Sequence, residues 1–124
     1  MKILIADDSR VMRQIVTRTL RQAGFGDHDL VEAADGQQAF DNAVAEKPDL
    51  VISDWNMPEM TGIEFVRAAR RDARYTNLPL IMVTTETQVE QMVEALEAGA
   101  NEYVMKPFTD DIIAGKLRMV GAIQ

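Results

Sequence analysis

Residues 50–62 read Leu-Val-Ile-Ser-Asp54-Trp-Asn56-Met-Pro-Glu-Met-Thr-Gly62. The run from Leu50 to Ser53 lacks the alternation of a half-exposed strand and suits one buried on both faces. It delivers Asp54 to a loop, because Trp-Asn-Met-Pro does not begin a helix. Four further short runs are Ile3 to Ala6, Leu30 to Ala34, Leu80 to Thr84 and Glu102 to Met105, and those rich in Ile, Leu and Val without alternation share this character. Helix-period segments separate them. The first places Met12, Ile15, Val16, Thr19, Leu20 and Ala23 at three- and four-residue spacings, opens after Ser9 as N-cap and stops at Gly24. The second runs from about Gly36 through Ala39, Phe40, Ala43 and Val44, and Pro48 forces its end. The third carries Ile63, Val66 and Ala69; the fourth Val89, Met92, Val93 and Leu96, ending at Gly99; the fifth Ile112, Ile113, Lys116, Leu117 and Val120. Five strand-helix units without a linker predict an α/β fold, (βα)5 on a parallel sheet.

The 124 residues suit a single domain over 1–124. A hydrophobic fraction of 47% is enough for a buried core, which excludes a disordered chain. With no cysteine and one histidine, His28, the chain has no disulfide framework, thiolate zinc site or thiol nucleophile. Carboxylates, hydroxyls and lysines remain for chemistry. The net charge of −7 argues against nucleic acid as ligand. No apolar run reaches the roughly 20 residues that span a bilayer, and the acidic start is unlike a signal peptide, so a cytoplasmic location is expected.

In an open α/β sheet, ligands sit beyond the carboxyl ends of the strands. Strand one ends in Asp7-Asp8, strand three in Asp54, strand four in Thr84 with Thr85, and strand five in Lys106 before Pro107. Taken singly, an Asp after a strand is as readily the N-cap of the next helix, and a lone lysine is usually a surface group. Their joint placement is harder to explain that way. Three carboxylates at one pocket repel each other unless a cation joins them, and an all-oxygen set selects a hard ion such as Mg²⁺. A carboxylate there can be the nucleophile toward phosphorus, with a lysine neutralising the transferring oxygens and a hydroxyl bonding one of them. Asp54, Lys106 and Thr84 fit those roles.

The strings Ile-Ala-Asp7-Asp8-Ser, Ser-Asp54-Trp-Asn-Met-Pro-Glu-Met-Thr-Gly62, Val-Thr84-Thr and Tyr103-Val-Met-Lys106-Pro-Phe stand in order along the whole chain. Together they resemble the receiver domain of two-component response regulators, and the single-domain chemotaxis members most closely. The resemblance implies the doubly wound, flavodoxin-like strand order 2-1-3-4-5, which is this family's own example of that order. It further implies that Asp54 accepts phosphate from a histidine kinase, with Asp7, Asp8, Asp54 and the backbone carbonyl of Asn56 around Mg²⁺. Thr84 and Tyr103 look like the switch pair, the hydroxyl moving toward the phosphoryl group while the ring turns into the vacated space. Lys106-Pro107 resembles the family's cis peptide bond. Asn56 and Glu86, two positions beyond Asp54 and Thr84, would set the phosphate lifetime, and both are polar enough to admit water. Such a protein is not an enzyme with a separate substrate. It is a phosphoacceptor with intrinsic self-phosphorylation and autodephosphorylation chemistry.

Some features have plainer explanations. Met57 and Met60 suit loop packing. Gly24-Phe25-Gly26 follows a helix and lacks the third glycine of a dinucleotide loop. His28 reads as a solvated loop residue.

Charge is unevenly laid out. Residues 9–26 carry Arg10, Arg13, Arg18 and Arg21 with no acid before position 27; residues 86–102 carry Glu86, Glu90, Glu94, Glu97 and Glu102 with no Lys or Arg. Solvated helix faces account for both. The sharper expectation is that helix one docks a histidine kinase or phosphotransfer protein. The face of helix four, strand five and helix five would meet a downstream target, with a phosphatase as a further partner. The flagellar motor switch is the target that the resemblance offers first. Helix four, however, departs from the lysine-bearing surface of the better-known chemotaxis regulators, which points to a basic target instead.

Two other classes are consistent with an aspartyl nucleophile. A phosphate-sink receiver would drain a kinase without binding a target. A small phosphohydrolase of haloacid-dehalogenase type would need a second Asp two residues after the nucleophile, where this chain has Asn56, which cannot carry a proton. The fifth helical segment reaches the end of the sequence at Gln124, so no effector domain is expected.

Overall fold

The computed structural model describes residues 2–25, 29–55, 57, 59–84, 89–105 and 109–119, with Phe25, Thr84, Val89 and Asp110 described by their backbone alone. Five parallel strands, β1 (Lys2–Ala6), β2 (Asp29–Ala33), β3 (Leu50–Asp54), β4 (Leu80–Thr84) and β5 (Glu102–Met105), form one sheet in the order β2-β1-β3-β4-β5. Five helices alternate with them: α1 (Arg10–Leu20), α2 (Gly36–Glu46), α3 (Gly62–Arg71), α4 (Val89–Ala98) and α5 (Asp110–Met119). The expected doubly wound α/β architecture is present.

The strands sort their side chains by parity. Ile3, Ile5, Leu50, Ile52, Ile81, Val83 and Val104 pack with Val16 and Leu20 of α1 and with Ile113 and Leu117 of α5. Their neighbours Leu4, Ala6, Val51, Leu80, Met82 and Tyr103 face the other way, onto Ala39 and Ala43 of α2, Phe65, Val66 and Ala69 of α3 and Ala95 of α4. Burial on both faces explains why these runs do not alternate. Each large apolar side chain so buried contributes about 1.5–3 kcal/mol.

Capping residues set the helix starts. Ser9 accepts from the Met12 amide at 3.2 Å, Asp35 from Gln38 at 2.7 Å, and Thr61 forms a reciprocal box with Glu64. Ends differ from the sequence expectation in detail. Strand two closes one residue earlier than expected because the Ala34 amide turns to the Gln38 side chain. Strand three extends to Asp54, which pairs in register with Val83. The first helix does not run evenly to Gly24: after Leu20 it widens into a π-type turn, Arg21–Phe25, in which Gly24 adopts φ 101°. Before Pro48 the second helix ends with Lys47 in the left-handed region at φ 51°, its amide still bonded to Ala43.

At the opposite end of the sheet from the carboxylates, Arg70 of α3 gathers four acceptors. Its Nε donates to the Gly99 carbonyl at 3.0 Å, Nη1 to Tyr75 and Thr76 at 2.7 and 3.2 Å, and Nη2 to Asn101 Oδ1 at 2.9 Å. Asn101 also takes the Leu80 amide at 2.8 Å. Gly99, at φ 121°, has no β-carbon to collide with the Arg70 stem.

Candidate functional site

In the sheet, β1 lies between β2 and β3, so the chain winds away from it in both directions. A crevice opens at such a reversal of strand order, beyond the carboxyl ends. The register pairs Ala6 with Ser53, so Asp7, just past the end of β1, and Asp54, the last residue of β3, stand side by side at the carboxyl edge of the sheet. One carboxylate oxygen from each of Asp7, Asp8 and Asp54 lies within 4.8 Å of the other two. Asp7 is buried at 3% exposure, Asp54 is half-buried and Asp8 is exposed, so the cluster grades from interior to solvent.

The surroundings fix these carboxylates. Asp7 Oδ1 accepts from the Ser9 amide at 2.9 Å, tying the acid to the start of α1. Arg13, one helical turn further, donates from Nη1 to the Asp7 carbonyl at 2.7 Å and from Nε to Glu32 at 3.0 Å. That guanidinium is not a solvated member of a basic face, as its spacing among the other arginines suggests. It is a brace between α1, β2 and the backbone of the acidic site. Gly62 opens α3 directly against Asp54: a β-carbon there would overlap the Asp54 carbonyl oxygen, and the Gly62 amide bonds to Trp55 at 2.8 Å. The motif's terminal glycine is therefore a demand of close approach. Glu59, at φ 67°, helps turn the loop back. Met57 is buried and Met60 packs against the same cluster, as loop-packing residues should.

The donor set fits Mg²⁺. Three oxygen-bearing acids close enough to share one ion would otherwise repel each other, and no softer ligand stands among them. Asp7, Asp8 and Asp54 would hold it.

Thr84 ends β4, its backbone paired with Met105, two residues beyond the Met82–Tyr103 pair. Tyr103 is 6% exposed and packs in the buried cluster on the α2–α4 side, more enclosed than an aromatic at a sheet edge would suggest. Asn56, Glu86, Lys106 and Pro107, expected at this site, lie outside the described residues, as does His28. Of the expected set, the structure brings together the three aspartates and aligns Thr84 and Tyr103 in neighbouring strands. Sequence reasoning missed Arg13 and Arg70, whose acceptors are backbone carbonyls and two side chains, Glu32 and Asn101, that no motif marks.

Residues 3–118 match the family model described as the response regulator receiver domain. The chain belongs to that family. Among similar proteins, the chemotaxis protein CheY of Pseudomonas aeruginosa is 44% identical over 120 residues, which cover 97% of this chain and 95% of that one. The chemotaxis protein CheY1 of Helicobacter pylori strain 26695 is 42% identical over 121 residues, covering 97% and 96%. Among solved structures, the chemotaxis response regulator CheY4 of Vibrio cholerae superposes with a TM-score of 0.84 at 41% identity, covering 96% of this chain and 97% of that one. As a receiver domain the protein is a signalling component of CheY-like type. Among the described residues no helix is long and apolar enough to cross a membrane.

Proposed function

We propose that this receiver takes a phosphoryl group onto Asp54 and thereby switches a protein-binding surface in chemotaxis signalling. The observation that carries the proposal is the meeting of Asp7, Asp8 and Asp54 at the crevice where strand order reverses. The similarity to chemotaxis proteins along nearly the whole chain supports the pathway.

The chemistry is a displacement at phosphorus. An Asp54 oxygen forms the new O–P bond while the N–P bond of a phosphohistidine donor breaks, its electron pair remaining on the departing imidazole. Bound Mg²⁺ would supply neutralising charge to the phosphoryl oxygens. Asp7 and Asp8 hold position for that ion, and Asp7 is kept in place by Ser9 and Arg13. Lys106 would pair with a phosphoryl oxygen, and the Thr84 hydroxyl would bond another, holding the Tyr103 ring in the buried position it already occupies. Water attack on the acyl phosphate returns the Asp54 carboxylate and inorganic phosphate, so the domain resets itself without a separate substrate. Asn56 and Glu86 would tune that rate.

The upstream partner is a histidine kinase or phosphotransfer protein at α1, where Arg10, Arg18 and Arg21 are exposed. The downstream partner meets α4, β5 and α5. Exposed Met92, Val93, Leu96, Met105 and Ile112 on that face favour a target-binding switch over a phosphate sink, which needs no such surface.

Incubation with Mg²⁺ and acetyl phosphate or beryllofluoride, followed by intact-mass or fluorescence detection, tests the assignment. The wild type takes up the group and Asp54→Asn does not. Equal labelling of the variant would refute it.

A further inference from the structure

We infer that the groove at the amino ends of β3 and β4, between α2 and the turn after α3, is a binding site for a small carboxylic acid with an apolar body. It lies at the opposite end of the sheet from the carboxylate cluster and does not depend on the phosphoacceptor reading.

The groove measures about 620 Å³, within the roughly 300–1,000 Å³ of small-molecule sites. Its most enclosed lining residues are Tyr75, 7% exposed, and Pro48, which is buried. Val44 joins them from the last turn of α2, and Leu78 and Pro79 from the approach to β4. These segments are already fixed to one another. The Val51 amide donates to the Pro79 carbonyl at 3.0 Å, the Tyr75 ring meets Phe40 edge-on at 6.1 Å, and the Tyr75 carbonyl accepts from Arg70 at 2.7 Å. Both prolines also fix their own φ. A ligand therefore meets a formed site and pays little for ordering it.

The exposed lining residues are polar: Lys47, Asp49, Arg74 and Asn77. Asp49 Oδ2 already accepts from the Lys2 amide at 2.8 Å. Arg74 commits Nε and Nη2 to Asp72, at 3.0 and 2.7 Å, which leaves Nη1 as its one guanidinium nitrogen without a hydrogen bond among the described residues. Lys47 has no ion pair among the described residues. Its ammonium is thus the uncompensated charge of the groove. Lys47 also closes α2 in the left-handed region at φ 51°, where glycine or asparagine is the ordinary choice, so the turn itself does not explain the residue.

One ammonium beside an apolar lining selects the occupant. A carboxylate pairs with Lys47 and accepts from Arg74 Nη1, while its apolar body covers Val44, Tyr75 and Leu78. A polyanion such as nucleic acid needs several cations, and an organic cation is repelled. A neutral molecule gains from the apolar lining alone.

Hydrocinnamate, its neutral amide and phenethylammonium share an apolar body and differ in charge, and each is titrated into the full chain while amide chemical shifts are followed. The acid shifts residues 44–49 and 73–79 saturably and binds about fivefold tighter than the amide at low salt, with the ammonium weakest. Acetate, which lacks the apolar body, gives no saturable shift there. Lys47→Gln brings the acid down to the affinity of the amide. Lys47→Gly does the same without lowering the melting temperature, because glycine suits the left-handed turn, so the lost binding is not lost folding. Absence of saturable binding, equal affinity of acid and amide, or an unchanged preference in Lys47→Gln would overturn the inference. So would shifts centred on the arginines of α1 instead of the groove, or acetate binding as tightly as hydrocinnamate, which would leave a bare ion site.

Discussion

A β-carbon on residue 62 would stand where the carbonyl oxygen of Asp54 stands. The start of α3 and the end of β3 are thus in backbone contact. Gly62→Ala must push the two apart. We expect a loss of about 1–3 kcal/mol, the usual cost of overpacking, seen as an earlier urea midpoint at an unchanged slope. Asp54 labelling by acetyl phosphate slows in the same variant.

Arg13 separates positioning from charge. Arg13→Ala removes the 2.7 Å bond to the Asp7 carbonyl and leaves that acceptor to water. Trp55, the one tryptophan, follows Asp54 directly and reports on the site by fluorescence. A Mg²⁺ titration of Trp55 emission should show weaker binding in Arg13→Ala than in the wild type, although an added positive charge near the site has been lost. A net electrostatic role for Arg13 predicts the opposite sign, tighter binding once the repelling cation is gone.

Asp8→Asn lowers the repulsion within the acidic cluster. At the separation of up to 4.8 Å and a water-like dielectric, suited to an exposed group, each pair costs about 1 kcal/mol. Without Mg²⁺ the variant should melt at a higher temperature than the wild type. With Mg²⁺ the order reverses, because the wild type gains binding stabilisation that the variant lacks. Calorimetry in chelator and in excess Mg²⁺ checks both halves.

Acid stability depends in part on a turn far from the site. Arg74 donates to Asp72 from Nη2 at 2.7 Å and from its backbone amide at 3.0 Å, holding that carboxyl down at about 2 from its ordinary 3.8. A depressed folded-state value stabilises the protein above the unfolded value, and the gain disappears as pH falls from 3.8 through about 2. The stability gap between wild type and Asp72→Asn should be constant near neutral pH and close over that acid window. Denaturant midpoints across the series measure it.

How much of this is legible in the residues follows from what each depends on. Strands β1, β3 and β4 are legible because burial on both faces leaves an apolar run, whereas the edge strands β2 and β5 carry Glu32 and Glu102 and are partly exposed; Asp7, Asp8 and Asp54 are legible because they stand at the ends of such buried runs. Parallel register then brings them together without any further signal. The edge of strand two is less legible, since its last amide is claimed by Gln38, a side chain in the following helix. Arg13 and Arg70 are hidden among other arginines, and only the folded backbone shows which carbonyls they reach. The widened turn after Leu20 is likewise invisible in apolar spacing, which continues smoothly to Ala23.

The guanidinium of Arg70 has a mechanical consequence. Its acceptors come from the turn after α3, the carboxyl end of α4 and the approach to β5, so a single cation knots three segments at the base of the sheet. Burial lowers its pKa, yet a guanidinium is so strongly basic that it keeps its proton across the physiological range. The knot does not loosen with acidity. The carboxyl end of α4 is therefore tied, through the Gly99 carbonyl, both to α3 and to the approach to β5.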